Sequence, residues 1–257
     1  MTVNEVTPAL LTFNEEPNLK RTLDTLTWAE RVIVVDSNST DATQEIARSF
    51  SNVDLHVRPF VSHQDQWEYA IRVSGIRSRY VVALDADMRI TPALLAEMEH
   101  PFLNKGYEGG LIPLELWSLG RPLKGSLCRP QLRLLKSECV EIGQIGHTQH
   151  FQVGGRLYRF KQPLIHDDRK PVDRWIKSQT AYSALECNRL SRTMPSSWKD
   201  KLRAAGLMPL LAGASAYVRA GGPWSGKPAY QYALERFTYE SLLAMRMLAG
   251  TEEERNI

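Results

Sequence analysis

The chain has 257 residues, 43% hydrophobic and 24% charged, with a net charge of +3. These values sit near globular averages and exclude collagenous, fibrous and disordered classes, and a small net charge with scattered basic residues argues against nucleic-acid binding. Residues 1–120 hold 10 Lys+Arg against 17 Asp+Glu and residues 121–257 hold 22 against 12, so the halves carry −7 and +10; an acidic half with metal ligands and a basic half facing a phosphate-bearing or membrane-bound partner fit that split, as does uneven sampling of surface charge.

The first hundred residues alternate strand and helix signals, which predicts a parallel sheet built from right-handed crossovers. Pro8 to Phe13 reads as the first strand, and Asn14-Glu15-Glu16-Pro17 opens a helix whose Leu19, Leu23 and Leu26 keep one face apolar. Arg31 to Asp36 is a continuous apolar run of buried-strand type that ends on an acid. In the following turn, Ser37 to Asp41, Asn38 is suited to a left-handed conformation, and a helix then runs to about Phe50. Asp54 to Val57 gives a third strand, Gln66 to about Ile76 a helix, and Tyr80 to Asp85 a fourth strand. Thr91 caps the next helix, with Pro92 at its first position. Leu111 to Trp117 and Gln131 to Lys136 read as further strands. From Val172 the pattern is helical, and Tyr230, Ala233, Phe237, Ser241, Ala244 and Leu248, joined by Leu234 and Met245, mark one helix face. Two regions are therefore expected: an α/β catalytic domain over 1–171, binding its ligand through about 1–100 with an acceptor and metal region over about 101–171, and a helical extension over 172–257.

Asp85 and Asp87 end the fourth strand two residues apart. Alternation along a strand sends positions i and i+2 to the same side, so both should emerge at its carboxyl end. Paired carboxylates there suit a hard cation that completes its shell with water and substrate phosphates, and a nucleotide diphosphate is the natural ligand. The loop after strand one, with Asn14 and Glu15, the end of strand two at Asp36, and Asp85/Asp87 should form one crevice. A G-x-G-x-x-G after a strand is missing, which disfavours a dehydrogenase. Glu15 and Glu16, directly after strand one, would repel a triphosphate, which disfavours a nucleotidyltransferase.

Three stretches, Leu11-Thr12-Phe13-Asn14-Glu15-Glu16, Val34-Val35-Asp36-Ser37-Asn38-Ser39-Thr40-Asp41-Ala42-Thr43 and Leu84-Asp85-Ala86-Asp87, resemble in order and spacing the family 2 glycosyltransferases of GT-A fold. The resemblance covers about the first hundred residues and points to bacterial lipopolysaccharide-core and surface-polysaccharide enzymes. It implies a Rossmann-like, mixed but mostly parallel sheet with a C-terminal helical extension. It also implies inverting transfer of a hexose-type sugar from a nucleotide diphosphate donor to a glycan or lipid-linked acceptor, with Mn or Mg. By the same resemblance Thr12, Asn14 and Glu15 line the nucleotide pocket, Asp36 accepts a hydrogen bond from the base, and Asp85 touches the ribose or a metal-bound water. Asp87 binds the cation, with Asp85 beside it. His166 resembles a further metal ligand late in the catalytic domain, Arg169 and Lys170 would contact the pyrophosphate, and Gln66 a nucleotide or sugar, while Trp67 reads as a core anchor.

Inverting transfer needs a base that deprotonates the acceptor hydroxyl. Related lipopolysaccharide-core enzymes carry His-Glu after a glycine turn, whereas Gly146-His147-Thr148-Gln149-His150 has no carboxylate at the Glu position. His147, Asp168 and Asp167 are the candidates, with Glu115 a weaker one that also reads as an exposed strand residue, and a binding relative that has lost its base is the alternative. Arg129 and Arg133, on one face, would meet an acidic acceptor or form surface salt bridges.

The cysteines Cys128, Cys139 and Cys187 lack C-x-x-C spacing, which indicates neither a disulfide framework nor a zinc knuckle. Met1 to Glu5 shows no signal-peptide pattern, so a cytoplasmic location is expected. The 15 residues from Ala204 to Val218 are too short and too broken by Gly206, Pro209 and Gly213 to span a bilayer. Flanking Lys199, Lys201, Arg203 and Arg219 allow a peripheral contact over about 199–222 with anionic head groups of the inner membrane; a buried helical hairpin explains the same pattern.

Overall fold

Continuous apolar runs make strands buried on both faces, and the N-terminal half is built on them. The structure, a computed structural model, describes residues 3–145, 148–191 and 198–250. In chain order it forms β1 (Val6–Thr12), α1 (Leu19–Leu23), β2 (Val32–Asp36), α2 (Thr43–Arg48), β3 (Val53–Val57), α3 (His63–Glu68), β4 (Tyr80–Asp85), β5 (Met88–Arg89), α4 (Pro92–Glu97), β6 (Gly109–Ile112) and β7 (Leu114–Ser118). There follow β8 (Arg121–Pro122), β9 (Gln131–Lys136), β10 (Glu141–Ile145), β11 (Thr148–Gln152), β12 (Leu157–Arg159) and β13 (Leu164–His166). The helices α5 (Val172–Ser191), α6 (Trp198–Ala204), α7 (Met208–Arg219) and α8 (Gly226–Ala249) complete the described chain. Contacts divide it into two units, Met1–Glu115 with Cys128–Arg169, and Leu116–Leu127 with Lys170–Ile257.

The first unit holds a seven-stranded sheet in the order β12-β6-β9-β4-β1-β2-β3. β3, β2, β1 and β4 run parallel, and β9 is antiparallel to both β4 and β6. The expected mixed, largely parallel sheet is thus what forms. Alternation sorts the core: Val6, Leu10, Val32, Val34, Val82 and Leu84 meet Leu19, Leu23, Leu94 and Met98 on one face. Ala9, Ile33, Val35, Val81 and Ala83 meet Trp67 and Ile71 on the other, which makes Trp67 the core anchor expected. Each fully buried Leu or Ile contributes about 1.5–3 kcal/mol. Asn38 has φ 60°, the left-handed conformation its turn called for, and Thr91 Oγ1 caps α4 through Leu94 N.

Two expectations need correction. The single strand expected over Leu111 to Trp117 is broken at Pro113, which lacks an N–H for a ladder, and β6 and β7 lie on either side of it. The apolar face expected on the last helix is also turned. Of the expected face Ala244 is buried, but Tyr230, Leu234, Phe237, Met245 and Leu248 are exposed, whereas Ala229, Tyr232, Tyr239, Glu240 and Leu243 are buried. Hydropathy missed this because the buried side carries tyrosines and a charge, each with a partner inside the second unit: Tyr232 Oη receives Leu127 N at 3.0 Å, and Glu240 accepts Arg203 Nε at 2.9 Å and Nη2 at 2.8 Å.

In that unit α7 packs on α8 through Pro209, Ala212, Gly213 and Ala216, small enough that a Cβ on Gly213 would reach Phe237 Cβ at 3.2 Å. All three cysteines are free thiols. No described helix is long and apolar enough to cross a membrane. The Arg203–Glu240 pair is buried on its acidic side, so Arg203→Ala strands a carboxylate whose nearest remaining cation is Arg236 at 3.8 Å. That variant should lose about 3 kcal/mol, the low end for breaking a buried pair, as the midpoint shift of a urea titration will report.

Candidate active site

Parallel strands deliver their carboxyl ends to one edge of a sheet, where open α/β folds hold ligands. β1 lies between β2 and β4 with Thr12 opposite Asp36 and Leu11 opposite Asp85, so two acids flank β1 at that edge. The Asp36 carboxylate is fully buried. It accepts Thr12 Oγ1 at 2.8 Å, Ser39 N at 2.8 Å, Gln44 Nε2 at 3.0 Å, and the Ser39 hydroxyl. The loop after β1 is stitched to the same turn: Asn14, at φ 54°, gives its N–H to Ser39 Oγ at 2.7 Å and takes Thr40 N on Oδ1 at 2.7 Å, and Glu15 N donates to Thr43 Oγ1 at 2.6 Å.

Asp85 and Asp87 have different partners, although the His166 that faces Asp87 also acts electrostatically on Asp85. β4 ends at Asp85, and Ala86 and Asp87 form a turn before β5, so strand alternation does not extend to Asp87. Thr22 Oγ1 holds that turn through Ala86 O at 2.7 Å, and Asp167 N holds it through Asp87 O at 3.0 Å. Asp85 receives Arg133 Nη1 on Oδ1 at 3.1 Å and Nη2 on Oδ2 at 2.8 Å. Arg133 is itself 4% exposed. It is therefore a counter-charge beneath the site, which corrects the expectation of a surface residue meeting an acceptor, while Arg129 is exposed. Desolvation opposes ionisation of Asp85, whose side chain is nonetheless 41% exposed, and the Arg133 charge and hydrogen bonds outweigh it, holding the carboxyl below its ordinary range.

Asp87, 8% exposed, faces β13, which pairs antiparallel with β5, and His166 Nε2 stands 3.5 Å from Asp87 Oδ1. A carboxylate oxygen and an imidazole nitrogen make a donor set suited to a divalent ion of the manganese type. Among the described residues no third His, Cys, Asp or Glu joins them, so water and ligand oxygens would fill the other positions.

The next residues tie β13 back to α1. Asp167, 1% exposed, receives Arg21 Nη1 at 2.6 Å, Arg169 Nη2 at 3.0 Å and Arg89 Nη2 at 3.4 Å. Asn18, also 1% exposed, donates Nδ2 to Glu15 Oε2 and to Asp168 Oδ1, both at 2.9 Å. It accepts Arg169 N at 2.9 Å and Arg21 Nη2 at 2.8 Å. Asp168 and Arg169 are exposed beside it. On the far side of Asp36, Gln66 is fully buried, with Nε2 donating to Ser37 Oγ at 2.9 Å and Oε1 meeting no partner among the described residues. His63 lies near Asp85, and burial pushes its pKa down.

Thus Thr12, Asn14, Glu15, Asp36, Gln66, Asp85, Asp87, His166, Asp167, Asp168 and Arg169 all belong to the first unit, most of them linked by the contacts above. His147 lies outside the described residues. Sequence reasoning missed Asn18, Arg21 and the buried position of Arg133; the one available signal was a polar residue directly before the apolar stripe that begins at Leu19.

Residues 9–120 match the family model for glycosyl transferase family 2. That stretch belongs to the family. Over 105 residues the chain is 28% identical to an uncharacterized glycosyltransferase of Rickettsia bellii (strain RML369-C), covering 40% of this chain and 35% of the relative, so the match spans about a third of that protein's length. The family 2 stretch sits in a GT-A fold. The 1–349 portion of S. aureus TarS, in complex with UDP-GlcNAc, superposes with a TM-score of 0.51 at 13% identity, covering 98% of this chain and 93% of TarS 1–349. Mannosyltransferase PcManGT from Pyrobaculum calidifontis, in complex with GDP-Man and Mn2+, gives 0.50 at 17% identity over 98% of this chain and 77% of its own.

Because its pKa is lowered in the folded state, Asp85 adds stability that is fully present above the usual carboxylate range and is lost as pH falls through the lowered value. Arg133→Met removes the cause. The stability difference between the protein and this variant should be largest near pH 7 and shrink below about pH 4, as urea titrations at stepped pH will show.

Proposed function

We propose that this chain is an inverting glycosyltransferase that moves a hexose-type sugar from a nucleotide diphosphate donor to a glycan or lipid-linked acceptor in bacterial surface-polysaccharide or lipopolysaccharide synthesis. The observation that carries the reading is Asp87 facing His166 just beyond the carboxyl end of β4, at the same sheet edge where β2 ends on Asp36. The family 2 match and the UDP-GlcNAc and GDP-Man complexes of two proteins sharing the fold support it. We assign catalysis to the unit of Met1–Glu115 with Cys128–Arg169, treat the helical unit as an extension, and place the reaction in the cytoplasm.

Asp87 and His166 would hold Mn or Mg, with Asp85 reaching the ribose or a metal-bound water while Arg133 keeps it ionised. A bound cation would neutralise charge developing on the departing nucleoside diphosphate. Thr12, Asn14 and Glu15 line the nucleotide pocket. Asp36 has its acceptor sites filled, so it would meet a base N–H by releasing the Gln44 amide. Gln66 offers its unpartnered Oε1 to the nucleotide or sugar, and Arg169 reaches the pyrophosphate. Three guanidiniums surround Asp167, which makes it an anchor for Arg21 and Arg169. The acceptor proton then goes to Asp168, held by Asn18, or to His147.

Isothermal titration of nucleoside diphosphates should show binding that tightens with Mn, and Asp87→Asn should weaken the Mn-dependent part by tenfold or more. Failure of every nucleoside diphosphate to bind more tightly with metal sinks the reading. Asp168→Asn should leave donor binding intact and lower kcat by about 10²–10⁴ if Asp168 is the base, and His147→Ala should do so if the role is His147's. Tight donor binding with neither transfer nor metal-dependent donor hydrolysis would favour the binding relative instead.

A further inference from the structure

In a soluble packing, a surface helix turns its large apolar side chains inward. α7 does the reverse. Its buried side is Pro209, Ala212, Gly213 and Ala216, and its outer side, with Leu207 just ahead of it, is Leu207, Leu210, Leu211, Ala214 and Val218 at helical spacing. Leu210 is 68% exposed and Val218 73%. Trp224, in the short turn after α7, is 86% exposed, and Trp198, which opens α6, is 65% exposed. Large apolar side chains exposed along one helix side and in the segments directly flanking it mark an interaction site, and exposed tryptophans favour the boundary between water and lipid.

The charges choose the occupant. Within residues 198–227, Lys199, Lys201, Arg219 and Lys227 are exposed. The single acid of that stretch, Asp200, is largely buried and lies 3.7 Å from Arg203, and Arg203 is spent on Glu240. A leucine and valine stripe among exposed cations with no exposed acid suits an anionic lipid surface, where each cation near the head groups strengthens binding about fivefold. A second copy of the chain would bring the same cations against themselves.

We infer that the outer face of α7, with Trp198 and Trp224, seats the protein on an anionic bilayer surface without crossing it. This face lies in the helical unit, so the inference stands apart from the proposed sugar transfer. It goes beyond that reading by naming the side chains that enter the lipid.

The test is sedimentation of the full chain with vesicles of phosphatidylcholine alone and of phosphatidylcholine with phosphatidylglycerol. Binding should require phosphatidylglycerol and weaken as salt rises. The triple variant Leu210→Ser, Val218→Ser, Trp224→Ser should bind at least tenfold more weakly with its circular dichroism unchanged. Lys199→Gln with Lys227→Gln should also weaken binding more than tenfold, and Val73→Ser, at an equally exposed apolar site in the other unit, should leave it unchanged. The inference is overturned by no binding to anionic vesicles, by equal binding of the triple variant, or by a dimer in solution that the triple variant abolishes. None of these outcomes depends on donor, metal or acceptor.

Discussion

Every functional feature of the first unit depends on β1 pairing in parallel with β2 on one side and β4 on the other. Parallel pairing fixes direction as well as contact: Thr12 opposite Asp36 and Leu11 opposite Asp85 place two acids at one edge, two inter-strand spacings or roughly 10 Å apart. Slipping either strand by one residue would exchange its two faces, sending Val34 or Val82 to the Trp67 side, so the packing on both faces enforces the register that builds the site.

Gathering carboxylates at one edge raises the cost of ionising each, and the protein answers with placed cations and donors. Asp85 has Arg133; Asp167 has Arg21, Arg89 and Arg169; Asp36 has hydroxyl, amide and backbone donors in place of a charge. These solutions differ in consequence. A guanidinium fork on Asp85 leaves it ionised yet committed, whereas a weakly basic imidazole opposite Asp87 leaves that carboxylate compatible with a cation. The chemistry of the site is thus sorted by what each acid is paired with, more than by which acids are present.

What could be read from the amino-acid order follows the same division. The strands were legible because apolar runs of strand length leave little else for the backbone to do, and the Asn38 turn because few residues accept positive φ. The strand-end acids could be seen, but their different partners could not: the D-x-D spacing is governed by alternation only while the strand continues, and β4 stops at Asp85. Arg133 and Asn18 were illegible for a different reason. Their partners lie 48 and 150 residues away, and no local pattern distinguishes a buried arginine from a solvated one until the strand that carries it is paired. The face of α8 was misjudged because hydropathy scores Tyr239 and Glu240 as outward residues, whereas a buried partner such as Arg203 reverses the assignment.

The helical unit shows how far hydropathy can mislead in the other direction. Residues 204–218 form an apolar stretch that reads equally as a buried hairpin or a lipid-facing segment. In the structure these alternatives divide between the two sides of one helix. Alanine, glycine and proline let α7 approach α8 closely, as Gly213 against Phe237 makes plain, and this packing, which includes Tyr217 and Tyr232, uses none of α7's leucines. The leucines and valine are then left over for the outside. Small residues inward and large apolar residues outward is how a helix packs when the medium beyond it is itself apolar, and the surrounding lysines set the charge of that medium's surface.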